Sequence, residues 1–131
     1  MKYDRLTRFV HIEVKGVEYS LRLTLGMFEE IEDALPKGTT LVSMFLNNET
    51  PQIRVLRKAF CLALTKDGKK VADPRQVFEQ YCDEKGIQIV IQTFYAVLAA
   101  SHLLGAAASN EMLENLGLVV KDEEEVEEKN A

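Results

Sequence analysis

The sequence predicts an α+β fold, with an N-terminal β-hairpin packed on a bundle of about five α-helices and a disordered acidic C-terminal tail. Three observations predict it. Phe9 to Leu25 alternates apolar and polar side chains with the period of a strand, the segments after it space their apolar side chains at helical intervals, and Ile87 to Leu104 is apolar on nearly every side. A helix of that last kind is normally buried, so the other elements are expected to cover it. The 131 residues suffice for one domain with a core of its own, expected over 1–117, with the tail over 118–131.

The hairpin spans 9–25. Val10, Ile12 and Val14 alternate with His11 and Glu13, and Val17, Tyr19, Leu21, Leu23 and Leu25 alternate with Glu18, Ser20, Arg22 and Thr24. A two-residue turn at Lys15-Gly16 sets Val14 opposite Val17, Ile12 opposite Tyr19 and Val10 opposite Leu21. A slip of one residue would expose the whole apolar face, so turn and pattern agree on one register.

Helices are predicted over about 26–35, 40–47, 51–66, 74–85 and 87–104. Leu25, Phe28, Ile31 and Leu35 mark the inner side of the first, which Pro36-Lys37-Gly38 ends. The second carries Leu41, Val42, Met44, Phe45 and Leu46, more apolar surface than so short a helix hides on one side. The first reading is that the core absorbs them all; the alternative makes Met44 and Phe45 candidates for an exposed partner-binding ridge. Thr50-Pro51 is read as the start of the third, with Ile53, Leu56, Phe60, Ala63 and Leu64 inward, and Asp67 to Lys70 as a loop. Asp73-Pro74-Arg75-Gln76 resembles a capping box opening the fourth, whose inner side is Val77, Phe78 and Tyr81.

In the fifth, Gln88, Gln92, Tyr95, Ala99 and His102 recur at steps of four and three, which places a narrow polar stripe along one side. That stripe favours a core helix with one edge near solvent or a partner over a lipid-facing span, and Gln92, Tyr95 and His102 join the candidate partner-binding residues. Ser109 to Leu116 offers one more short helix that docks through Met112, Leu113 and Leu116. Beyond Gly117, Asp122, Glu123, Glu124, Glu125, Glu127 and Glu128 form a block of like charge with little to bury, hence the expected disorder.

The net charge is −5 and the pI about 5.1, which argues against binding bulk nucleic acid. The total hides a division: Arg54, Arg57, Lys58, Lys66, Lys69, Lys70 and Arg75 are opposed within their own segment only by Asp67 and Asp73, a candidate basic patch. Cys61 and Cys82 lie in apolar helical patterns outside any CxxC or Cys/His cluster and read as packing residues. His11 and His102 have no partner at a ligand-like spacing, and HExxH, GxSxG, P-loop and GxGxxG motifs are absent. The sequence therefore nominates no catalytic, cofactor-binding or metal-binding residue. No apolar signal segment follows Met1-Lys2, so a cytoplasmic protein is expected.

The stretch Gly16 to Asp33, GVEYSLRLTLGMFEEIED, resembles the opening of the tail-assembly chaperone family of tailed bacteriophages and gene transfer agents. In that family a strand ending in a Leu-Arg-Leu-Thr-like run leads through Leu-Gly into a helix with a Glu-Ile-Glu segment, as in Leu21 to Gly26 and Glu30-Ile31-Glu32 here. The resemblance implies a non-catalytic protein of the host cytoplasm. Such a protein binds the tape-measure protein, keeps it soluble and helps recruit tail-tube subunits. It also implies a longer form made by ribosomal frameshifting, and Glu128-Lys129-Asn130 can be encoded by a slippery A-AAA-AAC heptamer. The alternatives are a structural virion component, such as a head–tail connector or tube-associated protein, and a small regulatory adaptor using the basic patch.

Overall fold

The computed structural model describes residues 1–117 and 119–121. Its elements in order are β1 (Lys2–Asp4), β2 (Val10–Val14), β3 (Val17–Leu21), α1 (Leu25–Glu32), α2 (Leu41–Leu46), α3 (Ile53–Ala63), β4 (Leu64–Lys66), β5 (Lys69–Lys70), α4 (Pro74–Lys85), α5 (Ile87–Ala100), α6 (Ala106–Asn115) and β6 (Val119–Lys121). The fold is α+β, as predicted, but the hairpin is the middle of a six-stranded sheet ordered β5-β4-β3-β2-β1-β6. Neighbours are antiparallel except β1 and β6, which are parallel.

The hairpin forms in the expected register, Val14 opposite Val17, Ile12 opposite Tyr19 and Val10 opposite Leu21. Lys15 and Gly16 take φ of 51° and 80°, the two left-handed residues that a tight turn between right-twisted strands demands. The turn is docked on α4: the Lys15 amide donates to both Glu84 carboxylate oxygens at 3.2 Å, and its ammonium lies 3.2 Å from Asp83.

Pairing across the sheet sorts its two faces. Tyr3, Val10, Leu21 and Leu64 stand side by side on adjacent strands, and all four are buried under the helices. The next row, Lys2, His11, Ser20, Thr65 and Lys70, faces the other way and is polar. The α3, α4 and α5 helices pack on the inner face. Every residue from Thr93 to Ala100 is buried, so the second half of α5 is the core that its composition predicts.

Several boundaries differ from expectation for identifiable reasons. Thr24 caps α1 through the Met27 amide, so the helix covers 25–32 rather than 26–35, with Phe28 and Ile31 inward. Leu25, expected inside, is 75% exposed. Helical side chains lean toward the N-terminus, so a first-turn side chain with no element beyond it hangs off the end. Ile53 at the start of α3 is 63% exposed on the same ground. The third helix runs 53–63, not 51–66; its N-cap is Gln52 rather than Thr50. Its last predicted residues instead form β4, and the expected loop at Asp67–Lys70 is the turn and second strand of a hairpin, with φ of 52° at Asp67 and 78° at Gly68.

The fifth helix stops at Ala100, not Leu104, where residues 101–104 turn and His102 takes a φ of 62°. A sixth helix covers 106–115, longer than the segment from Ser109 predicted, with Leu113 buried. Of the expected tail, 119–121 pair with β1; the acidic block itself lies outside the described residues. No helix among the described residues is long and apolar enough to cross a membrane.

Candidate functional site: a basic face beside the sheet edge

The α3 sequence IRVLRKAFCLA buries Val55, Leu56, Ala59, Phe60 and Ala63. The residues between them, Arg54, Arg57, Lys58, Cys61 and Leu62, fall on the outer flank, so an amphipathic pattern made by the core leaves a row of cations outside. The Asp67-Gly68 turn then brings the chain back antiparallel and sets Lys66 opposite Lys69 and Thr65 opposite Lys70. The Lys70 ammonium donates to the Leu62 carbonyl in the last turn of α3, where unsatisfied carbonyls favour a cation. Asp73 accepts from the Gln76 amide at 3.2 Å, and with Pro74 next it starts α4 and places Arg75 there.

These pieces meet around Cys61. Burial pushes its thiol up, while the charges of Arg57 and Arg75 act on it in the opposite sense and Asp73 adds to the rise. Arg57 of α3 and Arg75 of α4 thus each act on Cys61, which is one residue from the Leu62 carbonyl that Lys70 of β5 reaches. The cations come from these three parts of the chain. The Arg54 guanidinium bonds the Gln52 side chain at 3.0 Å. Arg57, Lys58, Lys66, Lys69 and Arg75 form no ion pair among the described residues; the pairs Lys15–Asp83 and Lys85–Glu84 lie at the other end of α4. Uncompensated cations of this kind attract an anionic partner over roughly 8–10 Å at moderate salt.

The other candidates go elsewhere. Met44 and Phe45 are 4% and 3% exposed and belong to the core, so they form no ridge. The Thr40–Ser43 capping box fixes the rotation of α2 so that Leu46, at 65%, points out instead. The polar stripe does not exist as one surface. Gln88 and Gln92 are exposed, but Tyr95 is buried against Phe45, its hydroxyl donating to the Glu49 and Met44 carbonyls. Ala99 is buried, and His102 lies beyond the helix end, its Nε2 3.4 Å from the Tyr3 hydroxyl.

His11 bonds Ser20 at 2.9 Å on the outer sheet face, beside a Phe9 ring that carries the Arg22 guanidinium at 5.8 Å. Cys82 packs against the core, and burial pushes its thiol up. Burial likewise raises the Tyr95 phenol to about 12, with the Glu49 charge adding to it. No group of three or more His, Cys, Asp or Glu among the described residues is placed to hold a metal ion. A void of about 20 Å³ between the sheet, α3 and α5 is lined by Leu21, Leu56, Phe60, Val90, Phe94 and Val97. It has room for about one water and few groups to bind one.

No protein-family model, curated protein or solved structure matches the chain. Sequence spacing identified the cations but missed the free sheet edge beside them. The signal that would have found it is Asp67-Gly68, the dipeptide most typical of a two-residue hairpin turn.

Proposed function

We propose that the protein is a non-catalytic tail-assembly chaperone, similar to those of tailed bacteriophages and gene transfer agents. In the host cytoplasm it binds the tape-measure protein, keeps it soluble and helps recruit tail-tube subunits. The observation that carries this reading is the segment Gly16 to Asp33. In the structure β3 ends at Leu21, before the rest of the Leu-Arg-Leu-Thr run; Leu23 is buried, Thr24 caps α1, Leu25 is exposed, and Phe28 and Ile31 of α1 are buried in the core.

A chaperone of this kind shields the apolar stripe of a long helical partner. With Met44, Phe45 and Tyr95 committed to the core, the side chains available for that contact are exposed ones, Leu46 and Ile53 among them. Burying two such side chains against a partner contributes roughly 1.5–3 kcal/mol each at full burial.

The test is co-expression with the long helical protein encoded downstream, followed by affinity capture and sedimentation. The neighbour is expected to stay soluble and bound only when this chain is present, and the chain to be missing from purified particles. A neighbour equally soluble without it, or the chain retained in virions, overturns the reading, the latter in favour of a structural virion component.

A further inference from the structure

The basic face adjoins a free sheet edge. Among the described residues β5 ends the sheet and pairs with β4 alone. In a two-residue hairpin the residues flanking the turn bond each other, here Lys66 and Lys69, so the amide and carbonyl of Lys70 point away from β4 into the open. A bare edge invites any extended chain, and lysines are a common means of repelling one. Repulsion of this sort is selective: it rejects neutral and basic strands and favours an acidic one. Arg57, Lys58 and Arg75 extend the same field onto the adjoining helices.

The chain contains a segment of the complementary kind. Asp122 to Glu128 carries six carboxylates in seven residues. Laid out with the alternation of a strand, Glu123, Glu125 and Glu127 fall on one side and Asp122, Glu124 and Glu128 on the other, so either side offers three acids. We propose that the basic face binds the Asp122–Glu128 run of a second copy of this chain, laid as an extended strand against the free edge of β5.

Topology decides against the same copy. The run begins immediately after β6, at the opposite edge of the sheet from β5. Five strand spacings of about 4.8 Å separate those edges, about 24 Å in all. A fully extended chain covers at most about 3.3–3.6 Å per residue, so about seven residues are consumed in crossing. The whole acidic run would be spent in transit and little of it delivered as a block. A second copy brings it without that constraint.

Nucleic acid is the less fitting anion. The aromatic rings nearest the face, Phe60, Phe78 and Tyr81, are buried and offer no stacking platform. The outward backbone groups of Lys70 suit a peptide and have no counterpart in a phosphate chain.

The inference does not depend on the chaperone reading, and its test uses this chain alone. Sedimentation velocity of the full chain at low ionic strength is expected to show self-association that disappears toward about 1 M salt, where the screening length falls to about 3 Å. Two variants are each expected to be monomeric: one lacking residues 122–131, and one carrying Lys66→Glu, Lys69→Glu and Arg75→Glu. Mixed, they are expected to pair, since the first keeps the face and the second keeps the acids. Unchanged far-ultraviolet circular dichroism shows that both remain folded. A full chain monomeric at every salt concentration overturns the proposal. So does association that survives both changes, a mixture that fails to pair, or an oligonucleotide that binds the face and is not displaced by a peptide of residues 119–131.

Discussion

The hydroxyl of Tyr81 lies 2.7 Å from that of Thr93 inside the core, joining α4 to α5. Thr93 has one proton and a carbonyl acceptor 2.8 Å away at Ile89, so Tyr81 is the donor between the two hydroxyls. Tyr81→Phe leaves Thr93 bonded to Ile89 and is expected to cost about 1 kcal/mol. Thr93→Val strands a phenol that is 2% exposed and is expected to cost more, roughly 1–3 kcal/mol. The double variant is expected to cost less than the two singles added, because it leaves no orphan donor. Urea unfolding of the three variants measures this, and full additivity would show the hydroxyls uncoupled.

Neighbours on α2 separate core from surface. Phe45→Ala removes a ring 6.0 Å from that of Tyr95 and is expected to destabilise by roughly 3–5 kcal/mol, and Met44→Ala by roughly 2–5 kcal/mol. Leu46→Ala, one residue on and 65% exposed, is expected to change stability by less than about 0.5 kcal/mol. Thermal melts of the purified chains rank the three. Comparable losses at all three positions would place Leu46 in the core as well.

Periodicity carried most of the fold where segments were long. The hairpin register, the limits of α4 and the burial of the second half of α5 all follow from patterns of five or more residues with caps or turns at their ends. It failed on strands of two or three residues, β1, β4, β5 and β6, which are too short to show alternation. Leu64 is the instructive case. It continues the apolar spacing of α3, so the spacing predicts helix, but the same inward direction serves a strand, and only the Asp67-Gly68 turn shows which. The candidate site divides the same way. Charge is legible in composition, so the cations were found, whereas the exposure of Met44 and Tyr95 depends on how α2 is rotated and on what α5 meets.

Two glycines in the described chain are expected to respond oppositely to alanine. Gly68 holds a φ of 78°, which costs an L-residue about 1–2 kcal/mol, so Gly68→Ala is expected to loosen the β4–β5 hairpin by about that much. Gly26, part of the Leu-Gly step that the resemblance singles out, sits in α1 with nothing within 4 Å of where a Cβ would lie. Its backbone demands no glycine. Gly26→Ala is therefore expected to stabilise the chain by roughly 0.5–1 kcal/mol. Denaturant midpoints decide, and a loss at Gly26 would point to a contact made there by a partner.

His102 ties the end of α5 to β1 through Tyr3, and this link is expected to weaken in acid. Burial lowers the His102 pKa below 6.5, and the charge of Arg8 lowers it further. A neutral ring with its proton on Nδ1 accepts the Tyr3 proton at Nε2; a protonated ring has only donors to offer, beside that arginine. The unfolded chain therefore takes up the proton more readily than the folded one. The contribution of His102 is complete above pH 6.5, falls as the pH drops from there through the folded value, and is constant below it. With a φ of 62°, the position tolerates asparagine, which populates that backbone region and does not titrate. Between about pH 7.5 and about pH 5, the urea midpoint of the wild type is expected to drop more than that of His102→Asn. Equal drops would mean that other groups account for the whole acid dependence and that the Tyr3–His102 contact adds nothing to it.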